Sequence, residues 1–419
     1  MSRATELPEA VDKDSGDKDS GYDEVLLALT RPECHQDPHP FYAQMRRQHP
    51  VYRSTHGIWY LTRYADVEAA VQDARLSNDR ERMTRALAAR QGAPQRLSRL
   101  TRRLGRVVSN TDPPDHTRLR KLINKAFTAR RIHALRPGIQ TIVDELLAAA
   151  LAAGPTIDLI AALASPLPAT VICELFGIPP RDTDRVRAWF HQVRGPTTAE
   201  DLHRVEQAVE QFEGYLADLI RQRRADPAED ILSALVAAQE RGDQLTDDEL
   251  LSTCFVLVTA GDQTTTNLIG NSMLALLRHP DQLRRLRQDP TLIRSAIHEL
   301  ARYDSPSHII IRVVAEPTEI GGYRLAEGEL VYLVLAAANR DPDRFPDPDQ
   351  LDLSRSDNRH LSFGTGPRFC LGAPLARMQG EIAIGTLVQR LPALRLDTEA
   401  VQWQPNPMLR GPACLPLAY

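Results

Sequence analysis

The sequence is poor in cysteine and in aromatic side chains, and it holds no long apolar run. Aromatic residues make up 5% of its 419 positions and cysteines number five. Cys34, Cys173, Cys254, Cys370 and Cys414 are odd in number, widely scattered and free of any C-x-x-C pair, which excludes a disulfide framework and gives no sign of a zinc or iron–sulfur site. Cys173 and Cys254 fall in apolar helical stretches and read as core side chains. No apolar segment approaches the roughly 20 residues needed to span a bilayer, and no basic, apolar, small-residue signal opens the chain. The expectation is a soluble, cytoplasmic protein with no membrane contact and a monomeric state. A net charge of −4 offers no global attraction to nucleic acid. No Gly/Ser-rich or Pro-rich linker divides the chain and no period recurs, so one domain is expected over residues 25–419. Residues 1–24 carry eight acidic against three basic side chains and few large apolar groups, the composition of a disordered acidic tail.

What is present is helical periodicity. Helical patterns dominate from about residue 113 to 304, and short strand-like runs lie near 51–62 and 308–337, the latter punctuated by Gly321-Gly322 and Glu327-Gly328. The longest pattern starts at Thr246, where Thr246-x-x-Glu249 reads as a capping box, and runs to His279 before Pro280. Roughly 34 residues at about 1.5 Å each make a helix of roughly 50 Å, enough to cross a whole domain. Proline and glycine cluster at 341–348 and 364–374, which implies a loop-built region before a last helix at about 373–391. The fold class is mainly α with small β-sheets.

The most informative segment is Phe363-Gly-Thr-Gly-Pro-Arg-Phe-Cys370-Leu-Gly-Ala-Pro-Leu-Ala-Arg377. A thiolate just before a helix gains from the positive end of the dipole and from backbone N–H groups, as a metal-holding sulfur requires. Glycines at 364, 366 and 372 would let the backbone approach a flat cofactor. Here the chain resembles the cytochrome P450 family, whose haem signature Phe-x-x-Gly-x-Arg/His-x-Cys-x-Gly is matched by Phe363, Gly366, Arg368, Cys370 and Gly372. The resemblance implies a single large P450-type domain, with haem b between the long central helix and the cysteine-loop helix and Cys370 as the axial ligand. A thiolate ligand pushes electron density onto the iron and favours O–O cleavage.

Within the long helix, Ala260-Gly261-Asp262-Gln263-Thr264 looks like the family's oxygen-binding groove, Ala-Gly-x-Glu/Asp-Thr. Ala260, Gly261 and Thr264 share one face, where a missing side chain beside a hydroxyl makes room for a small ligand. Thr264 is then the residue implied to hydrogen-bond O2 and steer protons. Gln263 departs from the pattern: an amide does not exchange a proton as a carboxylate does, although it orients water. Asp262, about 100° around the helix, is not a simple substitute. Altered proton delivery and a compensating water chain both remain open.

By the same resemblance His116, Arg120, Arg312 and Arg368 bind the haem propionates. Glu299-x-x-Arg302, joined by Arg355, would form the structural network behind the loop. Arg118, Lys121, Lys125, Arg130 and Arg131 are either a ferredoxin-docking patch or an ordinary solvated face. Substrate contacts are expected from residues 80–106 and 165–200, from the long helix, and from the stretch Ser307 to Ile310 with Met408. Among these, His308 is expected to hydrogen-bond the substrate, beside Ile309 and Ile310. The arginines of 80–106 suit a substrate carboxylate or a carrier-protein partner, or else a mobile solvated loop. With no flavin or nicotinamide fingerprint in the chain, electrons would come from NAD(P)H through a ferredoxin and its reductase. The resemblance, strongest to actinobacterial natural-product tailoring enzymes, implies a monooxygenase. Oxidative C–C or C–N coupling on the same haem and a non-catalytic haem sensor are the alternatives.

Overall fold

The longest element of the fold is the helix Asp247–Arg278, whose start is fixed by local chemistry. In the computed structural model, which describes residues 23–91, 99–193, 199–240 and 245–419, the Glu249 N–H donates to Thr246 Oγ1 at 3.1 Å. The Thr246 N–H donates in return to Glu249 Oε2 at 2.9 Å, satisfying two groups that a helix start leaves without partners. Asp247, Asp248 and Glu249 also place negative charge at the positive end of the dipole. From Thr265 to Leu276 every residue of this helix is buried. It runs through the main core, packed on the helices Pro166–Leu175, Ala199–Ala225, Ile293–Tyr303 and Ala373–Arg390. A Cβ at Gly270 would stand 2.8 Å from Ile160 Cδ1, so the missing side chain permits that close packing.

Beside the helices lies a five-stranded sheet. Its spatial order is Val51–Arg53, Trp59–Leu61, Leu330–Val334, Ile309–Val314 and Leu76–Ser77. Ile309–Val314 runs antiparallel to Leu330–Val334 with Arg312 opposite Val331, while Trp59–Leu61 joins the other edge of that strand in parallel. The apolar, β-branched run Ile309-Ile-Ile-Arg-Val-Val314 fits a central strand, and its position carries Ile310 and Arg312 to the edge of the site described below. Among the described residues no helix is long and apolar enough to cross a membrane.

Two expectations need correction. The acidic tail stops earlier than expected. Residues 1–22 lie outside the described residues, but Asp23 is 2% exposed, caps the helix Glu24–Thr30 and accepts the Tyr60 hydroxyl. Glu24 takes the Tyr52 hydroxyl at 2.8 Å and the Thr55 N–H at 2.7 Å. These bonds span about thirty residues, which the local run of acids did not reveal. The arginine-rich segment is also not one loop: it forms the helices Arg80–Gln91 and Arg99–Leu104 on either side of residues 92–98, which lie outside the described residues.

Candidate functional site

A cavity of about 570 Å³ opens between the long helix, the loop preceding Ala373–Arg390 and the strand Ile309–Val314. Cys370, Phe363, Gly364 and Gly372 border it from the loop, Ala260, Gly261 and Thr264 from the long helix, and His116, Arg120, Arg312 and Arg368 from its rim. One space therefore holds nearly all the residues singled out from the cysteine loop, the groove and the cationic positions.

The loop is shaped by its backbone. Cys370 donates its N–H to Phe363 O at 2.8 Å, and Phe369 to Gly366 O at 3.1 Å. Gly364 and Gly366 adopt φ of 68° and 64°, a left-handed conformation that favours glycine. Close approach to a flat cofactor is not what Gly366 provides: a Cβ there would meet the Gln72 side chain, and the residue does not border the cavity. Gly372 has an ordinary φ of −79° and precedes the helix Ala373–Arg390. Burial pushes the Cys370 thiol up, against the pull of the Gly372 and Ala373 N–H groups and the charges of Arg120 and Arg377. Its sulfur faces the cavity rather than bulk solvent, so a bound cation is what would keep it ionised.

The cations supply the test of whether haem fits. Arg312 is 6% exposed and its Nε meets no acceptor, and Arg368 Nη1 is likewise buried and unpartnered. Burial draws the Arg312 pKa down to about 10, with Arg368 adding repulsion. Buried guanidinium N–H groups without acceptors are costly, and the two carboxylates of haem are the kind of group that would satisfy them. Among the described residues no three His, Cys, Asp or Glu side chains converge as metal ligands. A lone sulfur beside these cations suits a metal whose remaining ligands arrive with it. The residues present fit haem.

On the opposite wall, a Cβ at Gly261 would have nothing within 4 Å, and Thr264 Oγ1 makes only a long bond of 3.3 Å to Ala260 O. That hydroxyl is available to a ligand. Gln263 is not turned to the cavity. Its Nε2 donates at 2.7 Å to Asn267 Oδ1 and at 2.7 Å to Gln404 Oε1, tying the long helix to the C-terminal strands. Asp262 is 4% exposed, does not border the cavity, and lies close enough to Cys173 to help raise that thiol, which burial lifts to about 12. Neither side chain is placed to touch a ligand there.

Behind the loop, Glu299 and Arg302 are both 0% exposed and form a two-pronged pair at 2.7 and 2.8 Å. Arg302 also donates to the carbonyls of Asn339, Pro348 and Gln350. Glu299 accepts from Arg355, Asn358 and the Asp352 N–H. Of the surface cations, Arg118 pairs with Glu249 and Asp115 and so belongs to the cap of the long helix.

The substrate expectations divide. Ile310 borders the cavity with Ser307 and Ile311; His308, Ile309 and Met408 do not. His308 is 3% exposed, its Nδ1 lies 3.0 Å from the Tyr42 hydroxyl, and its Nε2 is 3.7 Å from Asp304. Burial lowers its pKa, against the pull of Asp304. Burial alone would raise Asp304, but Arg410 and the two neighbouring histidines hold it well below the usual carboxylate range. Ile309 packs in the core with Tyr42 and Met45, and Met408 contributes its carbonyl to the His308 N–H at 2.8 Å. Arg80 and Met83, by contrast, border the cavity and were not distinguished within their segment; an arginine at a helix start was the available signal.

Known proteins match most of the chain. The family model for cytochrome P450 matches residues 185–408. Cytochrome P450 107B1 of Saccharopolyspora erythraea is 43% identical over 389 residues, 91% of this chain and 95% of that protein. The cytochrome P450 monooxygenase PikC of Streptomyces venezuelae is 42% identical over 392 residues, 91% of each. The crystal structure of CalO2 superposes with a TM-score of 0.85 at 36% identity, covering 93% of this chain and 98% of that one.

Proposed function

The chain belongs to the cytochrome P450 family and is a haem monooxygenase similar to bacterial natural-product tailoring enzymes, and on that premise we propose that it inserts one oxygen atom into a small organic molecule held in the 570 Å³ cavity. Haem bound there would supply the redox centre at which O2 is activated with two electrons. Cys370 would be its axial ligand, and Arg312, Arg368, Arg120 and His116 would hold its carboxylates. Thr264 Oγ1, free of any strong bond, would donate a hydrogen bond toward a small ligand in the space left open by Gly261. Gln263, occupied by Asn267 and Gln404, would brace the helix instead of passing protons. Electrons would come from NAD(P)H through a ferredoxin and reductase, since no flavin or nicotinamide fingerprint occurs in the sequence.

The observation that carries this reading is the meeting, in one cavity, of a cysteine sulfur open to that space, unpartnered guanidinium groups and an unencumbered threonine. The test is the spectrum of the reduced, carbon-monoxide-bound protein. A strongly red-shifted Soret band that disappears in Cys370→Ser is expected, and a globin-like band in the native protein would reject it. With a turned-over substrate under labelled O2, product carrying the label supports insertion; an unlabelled coupled product would favour bond formation without oxygen transfer. Thr264→Ala should release peroxide at the expense of product, and unchanged coupling would remove that residue from the scheme.

A further inference from the structure

The cavity is lined by four arginines, and no aspartate or glutamate is among its described lining residues. Three of them, Arg120, Arg312 and Arg368, are accounted for by the cofactor carboxylates proposed above. Arg80 is left over. Its Nε is buried without an acceptor, no ion pair joins it to a carboxylate among the described residues, and burial lowers its pKa. Arg368, by comparison, is paired with Asp112.

Local structure gives Arg80 no reason to be there. It opens the helix Arg80–Gln91, where a cation opposes the dipole, and an Nε–H buried without an acceptor costs free energy. Its backbone is nevertheless well anchored. The Asn78 N–H donates to Asp112 Oδ1 at 3.0 Å, the Asp79 N–H to Ser77 Oγ at 2.9 Å, and the Arg82 N–H to Asp79 Oδ1 at 2.8 Å. Met83 and Ala86 pin the helix into the core beside Ile309 and Val313. A firmly held scaffold thus presents a cation, without a counter-ion among the described residues, to a cavity also lined by Met83, Val108, Val256 and Leu257.

We propose that Arg80 is a specificity-determining residue that pairs with a carboxylate of the substrate, and that the site takes amphipathic monocarboxylates with the apolar body lying along Met83, Val108, Val256 and Leu257. The guanidinium fork matches a carboxylate in two parallel hydrogen bonds, and the low polarity of the surrounding wall strengthens the pair. The inference rests on the haem-monooxygenase reading of the same cavity.

The test is a titration of the ferric holoenzyme with octanoic, dodecanoic and hexadecanoic acids and with their methyl esters, following the haem spin state. At least one acid should bind about tenfold tighter than its ester, about 1.4 kcal/mol. Arg80→Gln should abolish that preference, and Arg80→Lys should retain part of it. Acids binding no better than esters, no response from any acid, or a preference that survives Arg80→Gln would each overturn the proposal. So would a fall in haem content per chain in Arg80→Gln, which would assign Arg80 to the cofactor. The comparison of acid with ester in the native enzyme, and its weakening by salt, stand even if a variant does not fold. The carbon-monoxide spectrum of the same sample separates the two levels. A thiolate-type band with charge-blind binding sinks this inference alone, whereas absence of that band sinks it together with the reading beneath.

Discussion

Arg302 and Arg312 are both buried, one at 0% and the other at 6% exposure, yet their surroundings are built on opposite plans. Arg302 meets both oxygens of Glu299 and three backbone carbonyls, so the stretch around 339–358 is stitched to the helix Ile293–Tyr303 through saturated charge. Arg312 has one bond to the carbonyl of Ile311 and a bare Nε. Burial penalises both cations, but only the first recovers the loss within the protein. A saturated buried charge is architecture. An unsaturated one beside a cavity is half of a contact, with the anion to come from a ligand.

The comparison is broken or sharpened by substitution. The largest effect belongs to Arg302→Ala, which leaves Glu299 buried with its best partner gone. It should cost about 3–5 kcal/mol in denaturant unfolding, and a loss below about 1 kcal/mol would show that the network is not structural. Next comes Arg312→Leu, where the signs should separate. Removing an unpaired guanidinium should leave the cofactor-free chain as stable or up to about 1 kcal/mol more stable, while haem transfer to apomyoglobin should quicken about tenfold. A drop in cofactor-free stability like that of Arg302→Ala would erase the distinction. The smallest effect is expected for Gln263→Glu, which loses two donated bonds at the edge of the site. It should cost about 1 kcal/mol without altering the share of electrons lost to peroxide; a changed share would return position 263 to proton delivery.

The sequence made the covalent and local features legible. The cysteine loop, the Glu299–Arg302 spacing and the capping box at Thr246 are written in neighbouring residues, and the structure places each where its local chemistry operates. The expectations that needed correction depend on distant partners. His308 looked like a substrate contact because its strand neighbours are apolar, but its real neighbour is Tyr42, 266 positions away. Gln263 was read against a pattern of adjacent residues, whereas its amide is held by Gln404, 141 positions on. Gly372 lies in a glycine-rich loop, but only backbone angles show that Gly364 and Gly366 carry the left-handed turns. Asp23 and Glu24 read as tail because their composition continues that of the preceding acids. Side-chain type survives in a sequence; which distant element a side chain turns toward does not.

Asp112 ties two of these regions together. Its Oδ1 receives the Asn78 N–H at 3.0 Å and Arg368 Nη2 at 2.8 Å, and its Oδ2 receives the Ser77 hydroxyl. One carboxylate thus holds both the segment leading to Arg80 and the arginine two positions before Cys370. For anyone diversifying this enzyme toward new substrates, the positions from 80 to 87 other than Met83 and Ala86, which sit in the core, can be varied against a fixed background. Ser77, Asn78 and Asp112 do not belong in such a library, because loosening them to reshape the pocket would also loosen the loop that presents the sulfur.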